Sequence, residues 1–206
     1  MEPQVSKSSE LQTNPADFSG VDVYAVAGNP IAHSKSPLIH GLFAQATGQR
    51  MEYTAIEAPL DGFAAVVQAF RVQGGRGLNV TLPFKLQAFE IATEPSERAR
   101  LAGAANCLKF EGDRILADNF DGVGLVNDLQ RNLGCPLAGK RVLLLGAGGA
   151  TRGALLPIAA ERPALLAVAN RTAAKAHELR SDFAAHATLQ TGGYDDLEGE
   201  AFDVVI

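Results

Sequence analysis

The chain has 206 residues, 47% apolar and 20% charged, with a formal net charge of −5; this is the balance of a globular protein with a real core, and it offers no basic face to nucleic acid. Cys107 and Cys135 form no CxxC pair, and His33, His40, His177 and His186 lack HExxH spacing, so no metal site is expected. Without a signal-peptide apolar run or a stretch long enough to span a bilayer, the expected setting is the cytoplasm.

Residues 1–20, rich in Ser, Gln, Asn and Pro, are expected to form a loose tail. The apolar run from Val21 to Ala27, stopped by Gly28-Asn29-Pro30, predicts a buried strand entering a loop. Ser36 then reads as an N-cap with Pro37 at the first helical position. Leu38, Ile39, Leu42, Phe43 and Ala46 make one apolar helical face, ended by Gly48. Tyr53 to Ala58 predicts a second strand. Phe63, Val66, Val67 and Phe70 mark a second helix, closed by Gly74-Gly75, and Leu78 to Val80 a third strand. Such a βαβαβ alternation predicts a mostly parallel sheet with helices on its faces.

Ser96 is placed to cap a short helix running to Leu101. Asn106 to Phe110 and Arg114 to Ala117 flank Glu111-Gly112-Asp113, a hairpin signal. From Asp121 the pattern is helical again: Leu125, Val126, Leu129 and Leu133 share a face, Gly134 stops it, and a boundary falls near Pro136 to Gly139. Arg141 to Leu145 is an apolar strand, the next helix carries Pro157 in its interior, Leu165 to Ala169 is another strand, and Thr172 to Ala185 a helix. Val204 to Ile206 begins a further buried strand.

Gly146-Ala147-Gly148-Gly149-Ala150 lies between a predicted strand and a predicted helix. In a dinucleotide-binding fold such glycines allow a tight turn and let backbone amides reach a pyrophosphate, whose charge the helix N-terminus favours. An enzyme that uses NAD usually has Asp or Glu at the end of the next strand to hold the ribose hydroxyls. Here stand Asn170-Arg171-Thr172, with Lys175 one turn later and Arg152 just past the glycines. A guanidinium and an ammonium suit a 2′-phosphate, so NADP is the expected cofactor. The alternative is that Arg171 and Lys175 are solvated residues at a helix start.

Five segments occur in order: Gly28 to Pro37, Asn79-Val80-Thr81-Leu82-Pro83-Phe84-Lys85, Ala102-Gly103-Ala104-Ala105-Asn106, Asn119-Phe120-Asp121-Gly122, and the glycine loop. Together they resemble shikimate dehydrogenase, over roughly Val23 to Ile206. The resemblance implies an α/β fold. An N-terminal α/β substrate domain with a mostly parallel sheet spans 21–120 and a linking helix 121–138. An incomplete Rossmann-like NADP-binding domain spans 139–206. It implies NADPH-dependent reduction of 3-dehydroshikimate to shikimate by a monomer or homodimer acting on a small molecule, without nucleic acid or membrane.

The resemblance also assigns residues. Ser34 and Ser36 donate to the substrate carboxylate, while Thr81, Asn106 and Asp121 hold ring hydroxyls. Ser36 and Asp121 keep alternative readings as helix caps. Lys85 and Asp121 form the catalytic pair: hydride addition to a ketone leaves an alkoxide that needs a proton, and a lysine at a desolvated site can exchange one. Glu97 falls where the family has a residue near the cofactor. Phe120 stands where the family usually has Thr, and is expected to weaken the hold on substrate. Cys107 stands where it usually has a second Thr. The family continues beyond Ile206, so the chain is expected to be truncated and weakly active or inactive. Rival readings are an NAD-linked quinate/shikimate dehydrogenase, or a non-catalytic ligand-binding relative.

Overall fold

The computed structural model describes residues 20–206; the expected tail lies, up to residue 19, outside them. Two sheets organise the chain. The first has the order β2-β1-β3-β5-β6-β4. Its strands are β1 (Asp22–Gly28), β2 (Met51–Glu57), β3 (Gly75–Val80), β4 (Glu94–Pro95), β5 (Cys107–Glu111) and β6 (Arg114–Asp118). β1 runs parallel to β2 and β3, as the βαβαβ alternation requires. The hairpin β5-β6 then joins antiparallel to β3 and turns at Gly112, whose φ of 57° suits glycine. Helices α1 (Ser36–Thr47) and α2 (Phe63–Val72) are the crossovers; α3 (Lys85–Glu90) and α4 (Glu97–Ala102) follow β3 and β4. Alternating residues of β1 and β3 bury Ala25, Ala27, Leu78 and Val80 against Phe63, Val67 and Phe84, with the Phe63 and Phe84 rings stacked at 4.8 Å.

The apolar stripe of α1 does not lie in this core. Leu38, Leu42 and Phe43 are exposed, Phe43 by 60%, as is Ile39, and only Ala44 of the helix is buried. The helix instead sets His40 against Tyr53 of β2. Periodicity identifies a stripe, but it does not say which side the sheet covers.

The second sheet, order β10-β7-β8-β9, is parallel throughout. It comprises β7 (Arg141–Leu145), β8 (Leu165–Ala169), β9 (Gln190–Gly192) and β10 (Val204–Val205), crossed by α6 (Gly149–Ala160) and α7 (Ala173–Asp182). Helix α6 runs on through Pro157. The expected buried strand at Val204 to Ile206 is only partly covered: β10 pairs on one side alone, and Val205 is exposed. From β7 the chain proceeds to β8 and β9 on one side and returns to β10 on the other. The end of β7 is therefore a topological switch point, where open α/β sheets bind ligands.

Helix α5 (Asp121–Asn127), continued by a π-helical turn at Asp128–Asn132, connects the two sheets. Val126 is buried in the second core, with Leu125 and Leu129 packed against it, while Leu133 of the predicted face is exposed. Gly122 of α5 meets α6 backbone to backbone: a Cβ there would collide with the Gly153 carbonyl and lie 2.8 Å from Ala154 Cα. Neither partner is a side chain that can swing away. Gly122→Ala is expected to cost about 1–3 kcal/mol as the helices are forced apart. Calorimetry would show the lowered Tm, and an unchanged Tm would mean that α5 and α6 do not pack this closely.

Candidate active site

The first sheet brings its loops together at the ends of β1 and β3. The Asn29 amide donates to the Leu82 carbonyl at 3.0 Å, and the Thr81 amide to Ala27 at 3.0 Å. A Cβ on Gly28 would come within 2.8 Å of the Thr81 and Ile31 side chains, so these loops pack closely against the glycine. The Val80 amide donates to the Asn106 carbonyl, and the Ala105 amide to the Lys85 carbonyl, both at 2.8 Å. Thr81, Lys85 and Asn106 thereby share one edge of the fold despite their separation in sequence.

Lys85 opens α3, and its Nζ lies 2.7 Å from Asp121 Oδ2. Asn106 Nδ2 donates to the other carboxylate oxygen of Asp121, also at 2.7 Å. Asn106 Oδ1 in turn accepts from the Phe120 amide at 3.0 Å. A cation, a carboxylate and an amide are thus linked, with side-chain exposures of 30% and 41% for Lys85 and Asp121 that leave the cluster open to a small molecule.

The structure decides both capping alternatives. Ser36 is the first residue of α1 rather than its cap: Lys35 holds the cap position without a side-chain cap bond, and the Ser36 amide donates to Ser34 Oγ at 3.3 Å. Asp121 likewise begins α5 and does not cap it. The Asp121 amide donates to Asn119 Oδ1 at 3.1 Å, and Asn119, 2% exposed, also donates to the Ala104 carbonyl. Asn119 thereby leaves the Asp121 carboxylate to Lys85 and Asn106. Sequence reasoning missed this role of Asn119; the available signal was an Asx residue two places before a helical acid.

Phe120 stacks its ring under Arg98, 4.9 Å from the guanidinium carbon, and Arg98 is itself paired with Asp118 at 2.6 Å. The ring's partner is therefore α4. Phe120→Thr is expected to cost about 0.5–1 kcal/mol of stability through the lost cation–π contact. An unfolding midpoint equal to wild type would show that the stacking contributes nothing.

His40 stacks flat on Tyr53, with centroids 4.2 Å apart. Burial holds its pKa below the usual 6.5. The unfolded chain then binds more protons than the folded one between the two values. This contribution to stability is present above about pH 6.5 and is lost as the pH falls through the lower folded value. Tm should drop on acidification across that window, and His40→Phe, which keeps a stacked ring, should flatten the profile; an identical slope in the variant would exclude His40 as its source.

In the second sheet the glycine loop follows β7. Gly146 has φ +107°, a conformation that L side chains rarely adopt, and among the described residues nothing beyond the adjoining chain and the backbone of α6 lies within 4 Å of a Cβ placed on Gly148 or Gly149. The two positions leave the loop's backbone open to solvent. Helix α6 begins at Gly149 with no side-chain cap and no acid in its first turn, so the positive end of its dipole is uncompensated. Asn170 braces the loop: its Oδ1 accepts from the Ala147 amide at 3.2 Å, and its Nδ2 donates to the Thr172 carbonyl at 2.9 Å. Thr172 precedes α7 as its N-cap residue without a side-chain cap bond. Arg171 and Lys175 are both exposed, and among the described residues neither pairs with an acid. Arg152 is committed, with a 2.8 Å ion pair to Asp182 and a cation–π contact to Phe183. These residues fit a dinucleotide phosphate: Gly146, Ala147, Gly148, Gly149 and Ala150 would line the pyrophosphate, and Arg171 and Lys175 a 2′-phosphate. Glu97 opens α4, is 71% exposed and lies 3.6 Å from His186 Nδ1.

Comparison with known proteins agrees with both halves. Residues 26–108 match the shikimate dehydrogenase substrate binding domain, and residues 128–206 match the shikimate / quinate 5-dehydrogenase family. The chain is 57% identical over 185 residues to a shikimate dehydrogenase (NADP(+)) of Janthinobacterium sp. (strain Marseille), covering 90% of this chain and 67% of that one. Among solved structures it resembles the Ael1 enzyme from Pseudomonas putida, with a TM-score of 0.86, 59% identity, and 89% of this chain and 68% of that chain covered. It also resembles shikimate 5-dehydrogenase from Thermus thermophilus in complex with NADP(H) and shikimate, with a TM-score of 0.73, 31% identity, and 82% and 62% covered.

Proposed function

The chain belongs to the shikimate dehydrogenase family, and on that premise we propose that it catalyses the reversible NADPH-dependent reduction of 3-dehydroshikimate to shikimate. The observation that carries this reading is the Lys85–Asp121–Asn106 cluster at the edge of one sheet, joined through α5 to a glycine loop at the switch point of the other. In this reading residues 21–120 take the substrate, 121–138 link, and 139–206 hold NADP.

Hydride transfer is the chemistry that NADP(H) supplies when bound. Lys85 Nζ is the proton donor to the substrate oxygen as it gains negative charge, and takes that proton back in the oxidation direction. Asp121 holds Nζ through Oδ2, while Asn106 fixes the opposite carboxylate oxygen, so the pair is set before substrate arrives. Ser34 and Ser36, at the start of α1, present hydroxyls to the substrate carboxylate, and Thr81 and Asn106 bind its ring hydroxyls. The cytoplasm and a small-molecule partner fit the two unpaired thiols and the net charge of −5.

The test is NADPH oxidation by purified protein with 3-dehydroshikimate, beside quinate and shikimate oxidation with NAD and NADP. Turnover confined to the NADP-linked shikimate couple is expected. Preference for quinate with NAD would replace this reading with the quinate enzyme.

A further inference from the structure

The polar wall of the substrate half contains a tyrosine that none of the assigned roles uses. Tyr53 sits on β2, and its hydroxyl reaches across β1 to donate to Asn79 Oδ1 on β3 at 2.7 Å. The Tyr53 ring is clamped flat against His40, at an interplanar angle of 4°. One hydroxyl thus joins β2 to a polar side chain near the end of β3.

We infer that Tyr53 is a positioning residue of the substrate site, acting through Asn79; the inference rests on the proposed shikimate reading. Burial raises the pKa of the hydroxyl well above its usual 10, so Tyr53 remains a proton donor at physiological pH. A permanent donor holds the carbonyl end of the Asn79 amide and turns its NH2 end away. Among the described residues that NH2 has no protein partner, and it is not fully buried; Asn79 as a whole is half-buried. Asn79 stands two residues before Thr81 and pairs in register with Cys107, next to Asn106. The NH2 therefore stands beside the assigned hydroxyl-binding residues. Without Tyr53 the amide can rotate and offer its oxygen instead.

The test is calorimetric binding of shikimate to the full chain and to Y53F, N79A and Y53F/N79A, with NADP binding and Tm measured alongside. Y53F keeps the ring and its stacking on His40. It is expected to weaken shikimate binding about 3- to 10-fold, the range for one net hydrogen bond, with NADP binding unchanged. Because Tyr53 acts largely through Asn79, the double variant should bind within about two-fold of N79A. Y53F that binds shikimate like wild type overturns the inference, as do losses that multiply in the double variant. Equal weakening of shikimate and NADP with a lowered Tm makes Tyr53 a packing residue and overturns it too. Wild type that takes NADP but no shikimate overturns this inference and the substrate reading together.

Discussion

Replacing Lys85 by alanine is expected to lower kcat by about 10²–10⁴-fold, the usual worth of a positioned general acid–base group, with a much smaller change in KM. The Lys85 ammonium has one protein partner among the described residues, Asp121 Oδ2 at 2.7 Å, and both side chains are partly exposed. Pairs this open to water contribute only about 0–1 kcal/mol to stability, so the variant should fold with nearly the wild-type Tm. A large loss of turnover in a folded protein then reports on chemistry. Lys85→Arg separates charge from proton transfer. The guanidinium can still pair with Asp121 but does not give up a proton, so substrate binding should persist while kcat stays low. Near-normal turnover in either variant would remove Lys85 from the reaction.

Much of the fold was legible because strands and helices here announce themselves locally. The apolar runs at 22–28, 141–145 and 165–169 are bounded by glycine, proline or polar turns, and Ser96 does cap α4, accepting from the Ala99 amide at 3.1 Å. What could not be read was which partner each side chain would find. The stripe of α1 has the spacing of a core face, yet its leucines and Phe43 are exposed, because orientation on a sheet is a tertiary fact. Ser36 and Asp121 have the chemistry of caps, but each sits one step inside its helix, and a residue two positions earlier holds its amide. Short strands such as β4 and β9 exist only through pairing with β6 and β8, so no local pattern announces them. Tyr53 reads as an ordinary strand residue; its bond to Asn79 joins positions 26 residues apart and leaves no trace in periodicity.

Arg171→Ala is expected to weaken NADP binding by roughly 10- to 150-fold, the loss of a charge-assisted contact worth about 1.5–3 kcal/mol, while leaving NAD binding nearly unchanged. Three cations lie near the glycine loop in sequence, and the structure separates them. Arg152 is held by Asp182 and packs on Phe183; Arg152→Ala should therefore lower stability without altering the choice between NADP and NAD. Arg171 closely follows β8, where NAD enzymes place their acid, and Lys175 lies one turn along α7. Asn170, between strand and arginine, spends both ends of its amide on the backbone of Ala147 and Thr172. It thereby fixes the loop that carries Arg171 relative to the loop that would take the pyrophosphate. Asn170→Ala should accordingly weaken NADP and NAD alike, by loosening the shared loop, whereas Arg171→Ala acts on NADP alone. Because Arg171 is exposed, the NADP preference should also shrink as ionic strength rises. Titration of both cofactors into wild type and the three variants resolves these cases. Equal wild-type affinity for NADP and NAD would show that the cations after β8 do not read a 2′-phosphate.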